Sequence, residues 1–415
     1  MSLFSPIHHT FAPHADRRHR LTAVRMSYAP WAYVHGKSVR ALEKAIGEEF
    51  HGDVITFATG REAFLALLRS IQLKPGEEII IQGYTCVVLP NVIHAAGGVP
   101  VYVDIDRETL NLDIDAVLEA ITPRTRAIVC QHTFGIPAQT LRLRSLCDEH
   151  SLALIEDCAH VIPDSQGGSE TIGKYGDFVL MSFGRDKAIS GVTGGAIVSR
   201  HGSISAALRD QQAKAIPFSW WTVARYLQYP NFYAWNKLWY GLRIGKAALL
   251  SLRRMHLLLP ILEDSEKKGR MAPVLHTMPN ACAYIALHEW KRRSQINAHR
   301  RMLTAFYLEE GQKQRWPLLA GVHGELALQK FPLFISDAEK LRESLKAKNI
   351  YLDDGWTGCV ICPDTVDLDA TDYRWGEDPV AEAACLQILS LPTHPTMSLH
   401  QAKHLVSILR PSLIR

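Results

Sequence analysis

Between Asp53 and Glu156 the chain alternates between short apolar runs and amphipathic stretches. Apolar runs at 53–58, 78–82, 99–103, 126–131 and 152–156 predict strands. The stretches at 86–96, 113–121 and 138–149, and one opening at Thr59-Gly60, predict helices. The last of these places Ala63, Phe64, Leu67, Leu68 and Ile71 on one face, with Thr59 as its N-cap. Such alternation admits few folds. It predicts an α/β architecture with a large, doubly wound, mainly parallel sheet. Sheets of this kind bind ligands outside the carboxyl ends of their strands.

Residues 177–198 extend the pattern. Phe178–Phe183 and Ala196–Val198 read as two more core strands. The segment joining them is polar and glycine-rich, and it carries Lys187. This predicts a hairpin whose tip faces a site. A partly desolvated lysine becomes a nucleophilic amine, and its characteristic use is a Schiff base with pyridoxal phosphate. A lysine in a loop is more often a solvated surface residue, so Lys187 gains meaning only from its surroundings.

Three other features converge on it. Thr59-Gly60-Arg61-Glu62 is a strand-to-helix turn, where free N–H groups and the helix dipole favour a phosphate. Asp157 stands just past a buried strand, where a carboxylate can pair with a protonated pyridine nitrogen; the competing reading is a helix N-cap. His160 follows three residues on, and one helical turn would bring it to the same ligand; a structural histidine is the plainer reading. Ser182 ends strand 178–183, and its hydroxyl can donate to a phosphate.

Glu156-Asp157-Cys-Ala-His160, Ser182-Phe-x-x-x-Lys187 and Gly194-Gly195 together resemble the DegT/DnrJ/StrS family of sugar aminotransferases. The resemblance extends over Gly36–Leu68, Ile79–Phe134, Ile155–Val198, Met278–Arg300 and Ile388–Pro392. It implies a fold-type-I pyridoxal phosphate transferase, homodimeric, that moves an amino group from an amino acid such as glutamate to a keto-sugar nucleotide in polysaccharide or glycoconjugate synthesis. By resemblance Lys187 forms the Schiff base and moves protons, Asp157 holds the pyridine nitrogen, and His160 sits near the cofactor's phenolic oxygen. Gly60, Arg61 and Ser182 hold the phosphate. Thr59-Gly60-Arg61 departs from the family's Ser-Gly-Thr turn. Cys86 stands where the family often stacks an aromatic ring, with Tyr84 two residues before it. The asparagine that reaches the partner subunit's phosphate is absent from Pro273-Val-Leu275, and Asn280 matches a later family position. Two other readings stay open: a non-transaminating pyridoxal phosphate enzyme such as a sugar dehydratase, and a non-catalytic family member.

Composition bounds the rest. The sequence has 415 residues, 47% apolar and 21% charged, enough for a large domain and a smaller one. The expected division is an arm at 1–35, a cofactor domain at 36–312 with a helical insertion at about 205–275, and a small α+β domain at 313–415. A formal charge of +4 gives no sign of nucleic-acid binding. Eight scattered cysteines fit reduced core thiols in a cytoplasmic protein, and the lone Cys359/Cys362 pair does not predict a metal site. No secretion signal or membrane-spanning run is read.

Residues 211–262 contain seven Lys or Arg and no Asp or Glu. They also hold Trp220, Trp221, Trp235 and Trp239 among several tyrosines and phenylalanines. This is the composition of helices lying in a membrane interface. It predicts peripheral attachment through about 216–262 to the inner face of a membrane, against an arm that packs on the partner subunit.

Overall fold

The computed structural model describes residues 5–163 and 171–413. Seven strands form one sheet in the spatial order Asp53–Phe57, Gly195–Ser199, Phe178–Ser182, Ala153–Asp157, Thr125–Gln131, Glu78–Gln82, Val99–Val103. Gly195–Ser199 runs antiparallel to both neighbours, and the other pairs are parallel. Helices cover both faces, which explains why the strands read as unbroken apolar runs. Val54, Val179, Met181 and Val198 pack on one face with Leu42, Ile46 and Trp290. Ile55, Leu180 and Ile197 pack on the other with Phe64, Leu67 and Leu68.

The helix Gly60–Ser70 begins as expected. Thr59 is its N-cap, and its hydroxyl accepts the Glu62 N–H at 3.2 Å. Phe64, Leu65, Ala66 and Leu67 are all fully buried, so this helix is core on nearly every side.

The C-terminal region pairs Lys330–Phe334 with Ile388–Pro392 in antiparallel register. Around the pair lie helices Ala338–Lys346, Pro379–Gln387 and Leu399–Leu413. Two helices, Asn280–Lys291 and Arg293–Lys313, follow one another with a break at Arg292.

The N-terminal arm is less irregular than its sequence suggests. Ile7–His8 pairs in parallel with Ile350–Tyr351. Arg17–Ser27 is a helix capped by Asp16, whose Oδ1 accepts the His19 N–H at 2.8 Å. Its polar sequence hides it, since the buried positions are only His19, Ala23 and Met26. It packs against helices Trp220–Lys237 and Asn280–Lys291.

Candidate active site

The parallel strands deliver their C-terminal ends to one place. Asp157 and Ser182 are the last residues of their strands, and Gly60 follows the strand ending at Phe57. The strands Phe178–Ser182 and Gly195–Ser199 form the expected antiparallel pair, and their connection carries Lys187. Gly194 has φ +133° and bridges to Thr59. A Cβ on Gly195 would lie 2.4 Å from the Gly60 nitrogen, so the hairpin seats on the helix start only with glycine there.

Gly60, Arg61, Cys86, Asp157, Ser182 and Lys187 line one cavity of about 500 Å³. Asp157 is buried, and its Oδ1 accepts the Ala159 N–H at 2.9 Å. Burial raises its carboxyl above the usual range, and the Ala159 N–H and the Lys187 charge offset only part of that. The Lys187 side chain makes no hydrogen bond or ion pair among the described residues, while its carbonyl accepts from His14 Nε2 at 2.7 Å. Burial raises the Cys86 thiol, with Lys187 and the Val88 N–H opposing, so it stays a neutral wall.

Four expected features stand differently. His160 is outside the cavity lining. Residues 158–163 form a turn and irregular backbone with no helical turn, so a spacing of three does not bring His160 round to the ligand. It stacks on Phe134, meets Trp356 edge-on at 4.9 Å and accepts the Phe134 N–H through Nδ1. Burial and the nearby Lys187 and Lys330 charges hold it well below the usual histidine value, hence neutral. The Arg61 guanidinium is already engaged, by the Glu266 carboxylate and by the Ile261 carbonyl at 2.7 Å. Tyr84 is fully buried, donates to the Trp356 carbonyl at 2.7 Å and is not among the cavity-lining residues. Asn280, the first residue of its helix, accepts the Ser38 N–H and donates to the Ala32 carbonyl, so both ends of its amide are occupied.

Sequence reasoning missed several lining residues: Arg185, Thr193, Tyr226 and Trp356, with Thr10 from the arm. Arg185 was readable as a second cation in the lysine loop. Tyr226 and Trp356 come from distant segments and carried no local signal.

Glu156, next to the catalytic candidate, has an organising role. Its carboxylate accepts the N–H groups of Gly173 at 2.7 Å and Tyr175 at 2.9 Å, that of Gly176, and His132 Nε2 at 3.3 Å. Burial opposes the charge, but His132 and the Gly176 and Gly173 N–H groups outweigh it and hold the carboxyl below the usual range. Glu156→Gln leaves at least one donor unmatched and should cost about 3 kcal/mol at neutral pH. A depressed carboxyl stabilises above its unfolded value and loses that contribution as pH falls through its folded value. The gap between parent and variant should therefore narrow in acid. Urea unfolding at both pH values checks this; equal stability at neutral pH contradicts it.

The sheet order, the single reversed strand and the lysine-bearing hairpin define the fold-type-I transferase class. Solved structures agree on the fold. NtdA from Bacillus subtilis, with bound cofactor PMP, superposes with TM-score 0.72 at 20% identity, over 96% of this chain and 82% of that one. DesI in the presence of its TDP-sugar product gives 0.71 at 22% identity, over 100% and 93%. The chain belongs to the DegT/DnrJ/EryC1/StrS aminotransferase family, whose model matches residues 15–221 and 262–410. Among curated relatives, the UDP-N-acetyl-3-dehydro-alpha-D-glucosamine 3-aminotransferase of Acidithiobacillus ferrooxidans is 31% identical over 203 residues, 48% of this chain and 54% of that protein. The GDP-perosamine synthase of Vibrio cholerae is 32% identical over 170 residues, 41% and 46%. The chain thus spans about half the length of these relatives.

Proposed function

We propose that this protein is a pyridoxal phosphate-dependent aminotransferase that moves an amino group from an amino acid, glutamate in our reading, to a keto-sugar nucleotide used in polysaccharide or glycoconjugate synthesis. The observation that carries this is the delivery of Asp157 and Lys187 into one cavity that also holds the Gly60 turn and Ser182. The residues fit the cofactor. A Cβ on Gly60 would lie 3.0 Å from Ser182 Cβ and 3.1 Å from its Oγ, so glycine lets the helix start and the Ser182 hydroxyl stand side by side, beside the N–H groups where a phosphate would sit. Burial pushes the Asp157 carboxyl toward its neutral form, and a protonated pyridine nitrogen beside it would restore its charge.

The bound cofactor supplies the electron sink that makes the amino acid's Cα proton removable. Asp157 holds the proton on the pyridine nitrogen. Lys187 Nζ takes the Cα proton and returns it to the reacting carbon. The Gly60 and Arg61 N–H groups and Ser182 Oγ fix the phosphate end. The cavity walls, the half-buried Cys86 among them, limit the access of water. The expected result is a spectral change of the cofactor-loaded protein on adding glutamate, reversed by a keto-sugar nucleotide. A spectrum that glutamate leaves unaltered contradicts the reading.

We take the chain as the arm, cofactor domain and small domain set out above, acting as a homodimer in the cytoplasm. For the 211–262 span the side chains favour an outward surface. Trp220, Trp221, Trp235 and Trp239 are 46–69% exposed, whereas Tyr229, Tyr233 and Tyr240 are buried. Trp31 is 81% exposed beside the helix that packs on this span. Arg243, Lys246 and Arg254 are exposed with them. Among the described residues no helix is long and apolar enough to cross a membrane. We read the surface as a peripheral contact with anionic lipid, each basic residue contributing about 1 kcal/mol. Cosedimentation with anionic vesicles at low salt should be lost when the four tryptophans become serine. Failure of the parent to sediment contradicts it. Variants that turn monomeric make the surface a subunit contact.

A further inference from the structure

Among the described residues five cations line the cavity, and three are already matched. Arg61 is held by Glu266, Arg342 by Glu339 and Asp353, and Lys267 by Asp264 at 3.2 Å. Lys187 has its own task. Arg185 is the remaining one. It is only 6% exposed and makes no ion pair among the described residues. Nη1 donates to the Leu259 carbonyl at 2.7 Å, and the guanidinium lies 4.0 Å from the Tyr229 ring centre. Nη2 of this cavity-lining residue is buried and has no hydrogen-bond partner among the described residues. A buried guanidinium N–H left unmatched is costly, and its planar fork suits two oxygens of one anion.

The position of this donor is constrained. Arg185 grips the carbonyl of Leu259 and Arg61 that of Ile261, two residues on. Even a fully extended chain separates such positions by at most about 7 Å. Both guanidinium groups therefore hold one short stretch, 259–261, which connects Arg185 to the Arg61 that follows the Gly60 turn. Tyr226 lies 5.9 Å from the Arg185 guanidinium carbon. Thr193 ties this wall to the turn by donating to the Ala58 carbonyl at 2.7 Å. Tyr226 and Leu259 fall between the two stretches matched by the family model, so this wall is built by the insertion.

We infer that Arg185, held by the insertion, is a ligand for a phosphate-type oxyanion in the cavity lined by the Gly60 turn. The anion can come from the cofactor or from a substrate, and the former rests on the function proposed above. The test compares the parent with Arg185→Gln and with Arg185→Lys, which keeps the charge without the fork. Three quantities are measured: affinity for pyridoxal phosphate, affinity for pyridoxal lacking the phosphate, and the rise in melting temperature given by inorganic phosphate. Arg185→Gln should weaken pyridoxal phosphate about 10- to 100-fold and leave pyridoxal unchanged. It should also lose most of the phosphate-induced stabilisation, with Arg185→Lys intermediate. If cofactor affinity holds while phosphate stabilisation falls and the KM of one substrate rises, the anion is that substrate's and the assignment stands. Equal weakening of pyridoxal and its phosphate marks a purely structural residue and overturns it, as does no change in any quantity. A parent that binds no cofactor, yet is stabilised by phosphate through Arg185, would defeat the proposed activity and not this site.

Discussion

Lys187→Ala should leave a folded protein without measurable transamination. The side chain is unpaired among the described residues, so removing it breaks no hydrogen bond, and the backbone contact from His14 survives. The chemistry loses both its nucleophile and the base that moves the Cα proton. Loss of a positioned acid–base group alone is typically worth about 10²- to 10⁴-fold. A drop of at least about 10³ is expected, with the melting temperature little altered. Initial rates with glutamate and a keto-sugar nucleotide, run beside thermal melts, check it. A variant retaining a tenth of the parent rate removes Lys187 from the chemistry.

Asp157→Asn should bind the cofactor and turn over about 10²- to 10³-fold more slowly. An amide can hydrogen-bond a ring nitrogen but cannot hold a proton on it, and preorganised electrostatic contributions of this kind are worth about 3–4 kcal/mol. The same residue gives a second, opposite expectation for the protein without cofactor. Burial raises the Asp157 carboxyl above its unfolded value. The folded state then binds the proton more tightly than the unfolded state, so stability falls as pH rises through that window. Asparagine carries no such charge and can still accept the Ala159 N–H. Cofactor-free Asp157→Asn should therefore melt at or above the parent at neutral pH, and the gap should close in acid. A neutral-pH melt well below the parent's, or a parental rate, contradicts the role.

The sheet was legible because its strands are buried on both faces, which leaves no polar alternation to confuse with anything else. Asp157, Ser182 and Lys187 were legible for a related reason. Each is fixed locally, at a strand end or in the hairpin loop beside one. His160 was placed by helical spacing, and the irregular backbone after Asp157 invalidates that step. Arg61 looked like a phosphate ligand because Glu266, its partner, lies far along the chain. Tyr226, Trp356 and the orphaned Arg185 donor depend on contacts between segments that no local pattern links. The first helix was hidden because it buries only three side chains and presents arginines to solvent.

The central claim is that Lys187 is the lysine that carries the cofactor. Borohydride reduction of the pyridoxal phosphate-loaded protein, followed by proteolysis and mass spectrometry, tests it most directly. The account predicts one modified peptide, the one containing Lys187, and none in Lys187→Ala. Label on another lysine, or no label despite added cofactor, would contradict it.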